Sequence, residues 1–472
     1  MVFKEMKNTV LIIFLLSFFI SCSKKIEKPN IVFVFADQWR AQSMGYAGNP
    51  DVKTPNLDKL ALEGVCFSNA VSTSPVCTPY RSMLLTGKYV LKNGMFMNDI
   101  SLEPDSESFA KLFKRRGYQT AYIGKWHLDG NGRSSFIPKE RRQGFDYWKV
   151  LECSHSYNNS KYWGNDDELH TWEGYDAEAQ TYDAIAYIEE HSKGKDPFCL
   201  MLSWGPPHAP YKTAPKEFQD LYENMDVQVR PNVPEDLIEE TKAKLRGYYA
   251  HCSALDSYIR QLQEAIRRSN IEDNTIFVFT SDHGDMIASH GQMKKQRIYE
   301  ESAKVPFIIK YPALLGKEGK KSDFLLNTLD ILPTVLGMSG LNVPAGLDGE
   351  DITEVILGNK EDDRKAALVT CVQPFGQWSR DRGGREFRGI ITKKYTYAQD
   401  LSGNWLLFDN VADPYQLNNL IGNPSFDKIS KKLEELLSKE LKRLEDDFLP
   451  GPSYLKKFEH MVDSNGTVPY KN

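Results

Sequence analysis

Thr275-Ile276-Phe277-Val278-Phe279-Thr280-Ser281 runs directly into Asp282-His283-Gly284-Asp285. The first part is an unbroken apolar run, the pattern of a central strand buried on both faces. The second part is a cluster of polar and ionisable side chains where that strand must end. Three other stretches repeat the arrangement: Ile31-Val32-Phe33-Val34-Phe35-Ala36 before Asp37-Gln38, Thr120-Ala121-Tyr122-Ile123-Gly124 before Lys125-Trp126-His127, and Phe198-Cys199-Leu200-Met201-Leu202-Ser203-Trp204 before Gly205-Pro206-Pro207-His208. Helical patterns lie between them, over Ser108 to Arg116, Asp176 to His191 and Glu235 to Arg268. The alternation predicts an α/β fold, a large mixed, mostly parallel sheet sandwiched by helices. Ligands of such sheets bind beyond the carboxyl ends of the strands. One Asp there is an ordinary helix N-cap; four ends carrying metal-ligand and acid–base residue types are a candidate site.

After about Lys360 the texture changes. Short runs over Ala366 to Val372, Phe387 to Thr392, Tyr395 to Gln399 and Trp405 to Phe408 are followed by an amphipathic stretch, Phe426 to Asp446. This predicts a C-terminal α+β subdomain, residues 361–472, with a short antiparallel sheet, after a larger α/β domain over 29–360. The composition agrees with a large globular chain: 472 residues, 41% hydrophobic and 26% charged. Lys+Arg number 59 against 64 Asp+Glu, a net charge of −5, which argues against nucleic acid as a partner. Seven cysteines are too few for a disulfide scaffold of this length.

The first 21 residues differ from the rest. Lys4 and Lys7 precede a short apolar run, Val10 to Ile20, too short for a comfortable membrane span and typical of a secretory signal peptide. Ser21-Cys22 at its end resembles a bacterial lipobox, so Cys22 is expected to be the lipidated first residue of the mature chain, on a short tether over 22–28. That implies an exported lipoprotein, periplasmic or outer-membrane anchored in a Gram-negative bacterium, with a membrane partner through the lipid.

The decisive chemistry lies in Ser74-Pro75-Val76-Cys77-Thr78-Pro79-Tyr80-Arg81-Ser82-Met83-Leu84-Leu85-Thr86-Gly87. Pro79 suits the first turn of a helix, which sets Cys77 near a helix N-terminus, where partial positive charge favours an anionic nucleophile and an anionic substrate. Arg81, one turn on, adds a guanidinium that can fix oxygens. A lone cysteine would be read as a small buried thiol. The whole pattern, Cys-x-Pro-x-Arg and then Leu-Thr-Gly, resembles the signature of the sulfatase family in the alkaline-phosphatase-like superfamily, and the resemblance extends over roughly residues 29–445.

The resemblance implies that Cys77 is oxidised by a maturation enzyme to formylglycine, whose hydrated aldehyde is the nucleophile. It implies one divalent cation, calcium by preference, held by Asp37, Gln38, Asp282, His283 and residue 77. The family often has Asp where Gln38 stands; its amide oxygen still suits a hard cation, whereas His283 is an unusual calcium ligand. Gly124-Lys125-x-His127 matches the family's Lys-x-His element, giving Lys125 to sulfate and His127 to formylglycine. His208 matches the histidine at the leaving oxygen. Lys295 matches a second sulfate-binding lysine, with Lys294 beside it as the other choice. Asp413-Pro414 matches a structural element. His155, His170, His191, His251 and His460 match nothing and are read as structural, and His290 as a loop or supporting residue.

The expected reaction is hydrolysis of sulfate esters on a sulfated polysaccharide or its oligosaccharides, of the ulvan, carrageenan, fucan or glycosaminoglycan class. Trp163, Tyr211, Trp378, Arg382 and Arg385 are candidate sugar contacts. The rivals are a phosphoester or phosphonate hydrolase on the same fold, a noncatalytic glycan-binding relative, and a plain zinc hydrolase. The motifs hold too few His and carboxylate positions for a two-zinc site. With Cys22 and Cys77 committed, Cys66, Cys153, Cys199, Cys252 and Cys371 remain, an odd number, so at least one is a free thiol.

Overall fold

An apolar run with no polar face needs cover on both sides, and all four runs receive it. The computed structural model describes residues 28–469. The predicted signal peptide and Cys22 lie outside these residues. A ten-stranded sheet holds β1 (Asn30–Asp37), β2 (Val65–Val71), β3 (Gln119–Lys125), β4 (Tyr147–Leu151), β5 (Lys161–Trp163), β6 (Leu169–Thr171), β7 (Phe198–Pro207), β8 (Thr275–Ser281), β9 (Phe307–Lys310) and β10 (Lys320–Asn327). Their spatial order is β10-β2-β9-β8-β1-β7-β3-β4-β5-β6. The four runs are therefore the contiguous block β8-β1-β7-β3, and its members are mutually parallel. β9 is antiparallel to both its neighbours, and β5 and β6 close the far edge antiparallel.

The alternation along β1 shows why the sheet is covered twice. Ile31, Phe33 and Phe35 face one apolar body, and Val32, Val34 and Ala36 face the other, all essentially without exposure. On the second face lie the helices Asp176–His191, as predicted, and Ile238–Arg268, whose predicted start at Glu235 is a separate 3-10 turn. On the first lie Cys77–Thr86 and Phe109–Lys114, the latter shorter at each end than the pattern suggested.

The C-terminal strands are β11 (Ala367–Cys371), β12 (Phe387–Ile391), β13 (Tyr395–Asp400) and β14 (Gly403–Asp409), a four-stranded antiparallel sheet in that order. The helix Asp427–Leu444 buries Leu433, Leu437, Leu441 and Leu444, one stripe at helical spacing. Each such leucine contributes about 1.5–3 kcal/mol, and all four join the apolar body under β1. Cys66, Cys77, Cys153, Cys199, Cys252 and Cys371 are all free thiols and all buried. Burial pushes the Cys199 thiol well above its ordinary range, so it stays protonated and inert. No helix among the described residues is long and apolar enough to cross a membrane.

Candidate active site

Register brings the polar strand ends together. Ala36 lies beside Ser281, Asp37 beside Pro207, and Gly124 beside Ser203, so Asp282, His208 and Lys125 emerge around Asp37. Gly124 permits this approach: its φ is 104°, and a Cβ there would lie 2.1 Å from the Ser203 carbonyl oxygen. Cys77 enters from below as the first residue of its helix, after Val76 in extended conformation.

The sulfur of Cys77 is the hub. It lies 2.9 Å from Lys295 Nζ, 3.8 Å from Lys125 Nζ, 3.3 Å from His283 Nε2 and 3.7 Å from Asp37 Oδ1. Burial and Asp37 oppose its ionisation, yet Lys125, Lys295 and His283 carry the thiol well below its usual range. The site is thus built for an anion at this position. Lys125 Nζ donates to Asp37 Oδ2 at 2.5 Å. Burial would raise the Asp37 carboxyl, but Lys125 and Lys295 hold it well below the usual carboxylate range. Of the two candidate lysines, Lys295 reaches the sulfur. Lys294 is tied by its backbone, N–H to Asp285 Oδ1 at 3.0 Å and carbonyl from the Met286 N–H at 2.8 Å.

Arg81 is engaged with the strand ends. Its Nη1 donates to the Lys125 carbonyl at 2.8 Å and to Ser203 Oγ at 2.7 Å, and its Nη2 to Asp282 Oδ2 at 3.2 Å and Asp37 Oδ2 at 3.4 Å. The guanidinium therefore braces the two carboxylates and the strand end that carries Lys125. It is buried and lies 4.9 Å from the centre of the Phe35 ring.

The residues present could hold one metal ion. Ligand atoms of Asp37, Cys77, Asp282 and His283 all lie within 4.8 Å of one another. His283 Nδ1 donates to the Gly284 carbonyl at 2.9 Å, which turns Nε2 inward, a common fixing of a ligand histidine. Gln38, at φ 71°, donates its side-chain amide to Asp285 Oδ2 at 2.6 Å, and its Oε1 is buried without a partner. A buried acceptor with no donor is costly, and a cation would satisfy it.

Two histidines at the strand ends, with Asp99 and Arg133 from loops, complete the centre. His127 Nε2 bonds Asp99 Oδ1 at 3.0 Å, and Arg133 Nη2 donates to Asp99 Oδ2 at 3.2 Å. Burial opposes charge on His127, but the bond to Asp99 helps raise its pKa to about 10. His208 Nδ1 donates to the Ala209 carbonyl at 2.7 Å. Burial and Lys295 hold His208 well below the usual histidine range.

The His155 ring stacks on that of His208, with centroids 4.3 Å apart and planes at 15°. His290 is packed away, stacked on Tyr299 at 4.0 Å and bonded to Asn232.

The candidate sugar contacts divide. Tyr211 is buried and donates to Asp285 Oδ2 at 2.5 Å, so it supports the Gln38 side chain and is not an open platform. Arg385 is paired with Asp400 at 2.6 Å and lies over Trp405. Trp163 donates to the Ser134 carbonyl at 3.0 Å on β5. Trp378 is placed differently: its Nε1 donates to the Met293 carbonyl at 3.0 Å, and Phe375 and Gln296 bond each other reciprocally. The loop around Trp378, with exposed Arg382, is thereby fastened next to Lys295. A cavity of about 1000 Å³ lies elsewhere, between residues 40–51 and β2, and holds none of the candidate catalytic or metal-ligating residues.

Comparison with known proteins joins this geometry to a family. The sulfatase family model matches residues 29–341, and the model of the N-sulphoglucosamine sulphohydrolase C-terminal region matches 288–443. An ulvan-active sulfatase of Formosa agariphila is 44% identical, over 96% of this chain and 90% of its own. An endo-4-O-sulfatase of Bacteroides thetaiotaomicron is 31% identical, over 84% of this chain and 89% of its own. A structure solved in connection with glycosaminoglycan metabolism by the same organism superposes with a TM-score of 0.81 at 30% identity, covering 94% of this chain and 100% of that one. With a cysteine at a helix N-terminus ringed by lysines, and matches that span most of its length, the chain belongs to the sulfatase family, enzymes that hydrolyse sulfuric esters.

Proposed function

We propose that this enzyme removes sulfate from a sulfated polysaccharide or its oligosaccharides, with formylglycine made from Cys77 and one divalent cation, calcium by preference. The observation that carries the reading is the surroundings of residue 77: two lysine ammonium groups, at 2.9 and 3.8 Å, facing one buried atom at a helix N-terminus. A formylglycine there would supply, as its hydrated aldehyde, the nucleophile and a second hydroxyl through which sulfate is released without water attacking sulfur. A cation held by Asp37, Gln38, Asp282, His283 and residue 77 would add positive charge beside it.

The chain's own side chains do the rest. Lys125 and Lys295 bind the sulfuryl oxygens and stabilise their charge, an electrostatic role that a dry pocket strengthens. Arg81 keeps both carboxylates in place. His127, oriented by Asp99, faces residue 77 and orients it for the step that releases sulfate. His208 gives a proton from Nε2 to the departing oxygen. Burial and then the Lys295 ammonium disfavour charge on that imidazole; the sulfate ester brings negative charge that offsets this, so substrate and proton arrive together. The ulvan class is the first substrate to try, because the 44% identical relative is ulvan-active. Trp378 and Arg382 are the sugar contacts retained. A maturation enzyme is the required partner. Cys22 carries a lipid that anchors the exported enzyme in the periplasm or outer membrane.

Peptide mass spectrometry across Cys77, on protein from its own host, tests the nucleophile: active protein whose residue 77 is a thiol throughout refutes it. Matched aryl sulfate and aryl phosphate substrates test the reaction. A large preference for phosphate moves the enzyme to the phosphoester rival. Chelation and metal analysis test the cation, and a stoichiometric transition metal would displace calcium.

A further inference from the structure

Among the described residues, His208 is held by one side-chain hydrogen bond. The bond from Nδ1 to the Ala209 carbonyl, 2.7 Å long, fixes where that nitrogen sits. It leaves the ring free to pivot about the bond, which swings Nε2 across the pocket. A second constraint is needed to set the plane, and His155 supplies it, nearly parallel at 15° and 4.3 Å from centroid to centroid. His155 stands on the segment after β4, just beyond Glu152, whose carbonyl accepts the His127 N–H at 2.7 Å. Its backbone is therefore anchored to the catalytic strand ends. Burial and the nearby Lys125 lower its own pKa to about 3, so an uncharged ring faces His208. An uncharged aromatic face accommodates an imidazolium, whereas a second cation would repel it.

We infer that His155 is a positioning residue for His208, setting the plane of its ring so that Nε2 points at the leaving oxygen. The inference rests on the sulfate-ester reading above. When the sulfur–oxygen bond breaks, its electron pair stays on the alcohol oxygen and the Nε2 proton moves onto that oxygen. A sugar alkoxide needs this proton; a nitrophenolate does not. A misplaced His208 therefore harms one substrate and spares the other.

The test compares kcat/KM on a sulfated sugar and on 4-nitrophenyl sulfate, for the wild type, His155→Ala and His155→Phe. The expected result is a loss of roughly 10- to 100-fold on the sugar sulfate in His155→Ala. Turnover of 4-nitrophenyl sulfate stays close to wild type, and Phe, which keeps the stacked ring, recovers most of the loss. Equal losses on both substrates, no loss on either, or a Phe variant as impaired as Ala overturns the inference and leaves the sulfatase reading standing. A wild type, with residue 77 matured, that turns over neither sulfate overturns that reading and the inference with it. Thermal unfolding of the variants separates a folding defect from misplacement, because a general loss of structure would strike both substrates alike.

Discussion

The strand ends and the seam beneath the C-terminal helix each bury a set of opposite charges, and the two sets are built differently. At the seam, Arg388 is fully buried and every one of its nitrogens is used: Nε and Nη2 on the Asp446 carboxylate, the latter at 3.1 Å, and Nη1 on the carbonyls of Cys371 and Phe387, both at 3.0 Å. Asp446 is saturated in turn by Tyr89 at 2.7 Å, Tyr454 at 3.0 Å and the Phe448 N–H at 2.9 Å. At the strand ends, Arg81, Lys125 and Lys295 crowd Asp37, Asp282 and residue 77, while Gln38 Oε1, Arg81 Nε and His127 Nδ1 are buried without hydrogen-bond partners among the described residues. A closed set stabilises a seam. An open set keeps unspent donors and acceptors for a ligand, which is how functional sites differ from structural ion pairs.

The largest expected effect tests the open set. Cys77→Ala removes the residue on which the lysines converge, and turnover of a sulfate ester should fall by about 10⁴-fold or more. The midpoint of thermal unfolding should hold or rise, since the variant relieves crowding and breaks no saturated bond. A variant that keeps full turnover sinks the assignment of residue 77. The closed set predicts the reverse. Arg388→Ala leaves the Asp446 carboxylate buried and unpaired, at a cost of about 3–5 kcal/mol, read from denaturant midpoints, with kcat per folded molecule unchanged. Burial raises the Asp446 pKa but Arg388 lowers it further, to a net fall. The stability of this pair is thus complete above the unfolded carboxylate value, near about 4, and is lost as pH drops through the lower folded value. Arg388→Ala should therefore differ most from wild type at neutral pH and least in strong acid. A loss of activity larger than the loss of folded protein would break the distinction.

Smaller in effect is the choice between adjacent lysines. Lys295→Ala withdraws an ammonium from the reacting group and should lower kcat/KM by about 10²–10³-fold, whereas Lys294→Ala should cost less than about tenfold. Initial rates on one soluble sulfate ester decide it, and a larger loss in Lys294→Ala would exchange their roles.

The strand block and most of the centre were legible because they share one signal, an apolar run ending in an ionisable residue. Asp37, Lys125, His208 and Asp282 all sit at such ends, and the Cys77 helix carries its own motif. β9, with four residues, and β5 and β6, with three each, are too short to show a period, and β10 begins with exposed Lys320 and Lys321. Asp99 and His155 lie on loops whose position is set by tertiary contacts, so no local pattern marks them. Tyr211 misled for the opposite reason. A tyrosine just after Pro210 looks like a surface residue, and only the fold reveals Asp285 at its hydroxyl.

Asp176 belongs to neither set and measures what burial alone does. It opens the helix Asp176–His191 and is almost fully buried; Ser160 donates to Oδ2 at 3.1 Å, and Oδ1 has no partner. Burial, only partly offset by Ser160, lifts its pKa to about 8. Because the folded value lies above the unfolded one, the native state holds its proton more tightly than the unfolded chain does. Stability is then full below about pH 4 and declines as pH rises toward 8. Asp176→Asn keeps a carbonyl for Ser160 and carries no charge, so it should match wild type near pH 4 and exceed it at pH 8. The expected gain is about 3 kcal/mol, after allowance for the favourable field of the helix N-terminus on a carboxylate. Urea midpoints of the two proteins across this range give the answer. Parallel curves would mean that Asp176 stays ionised at neutral pH through a partner such as ordered water, and that a buried carboxylate in this protein needs neither a closed set nor an open one.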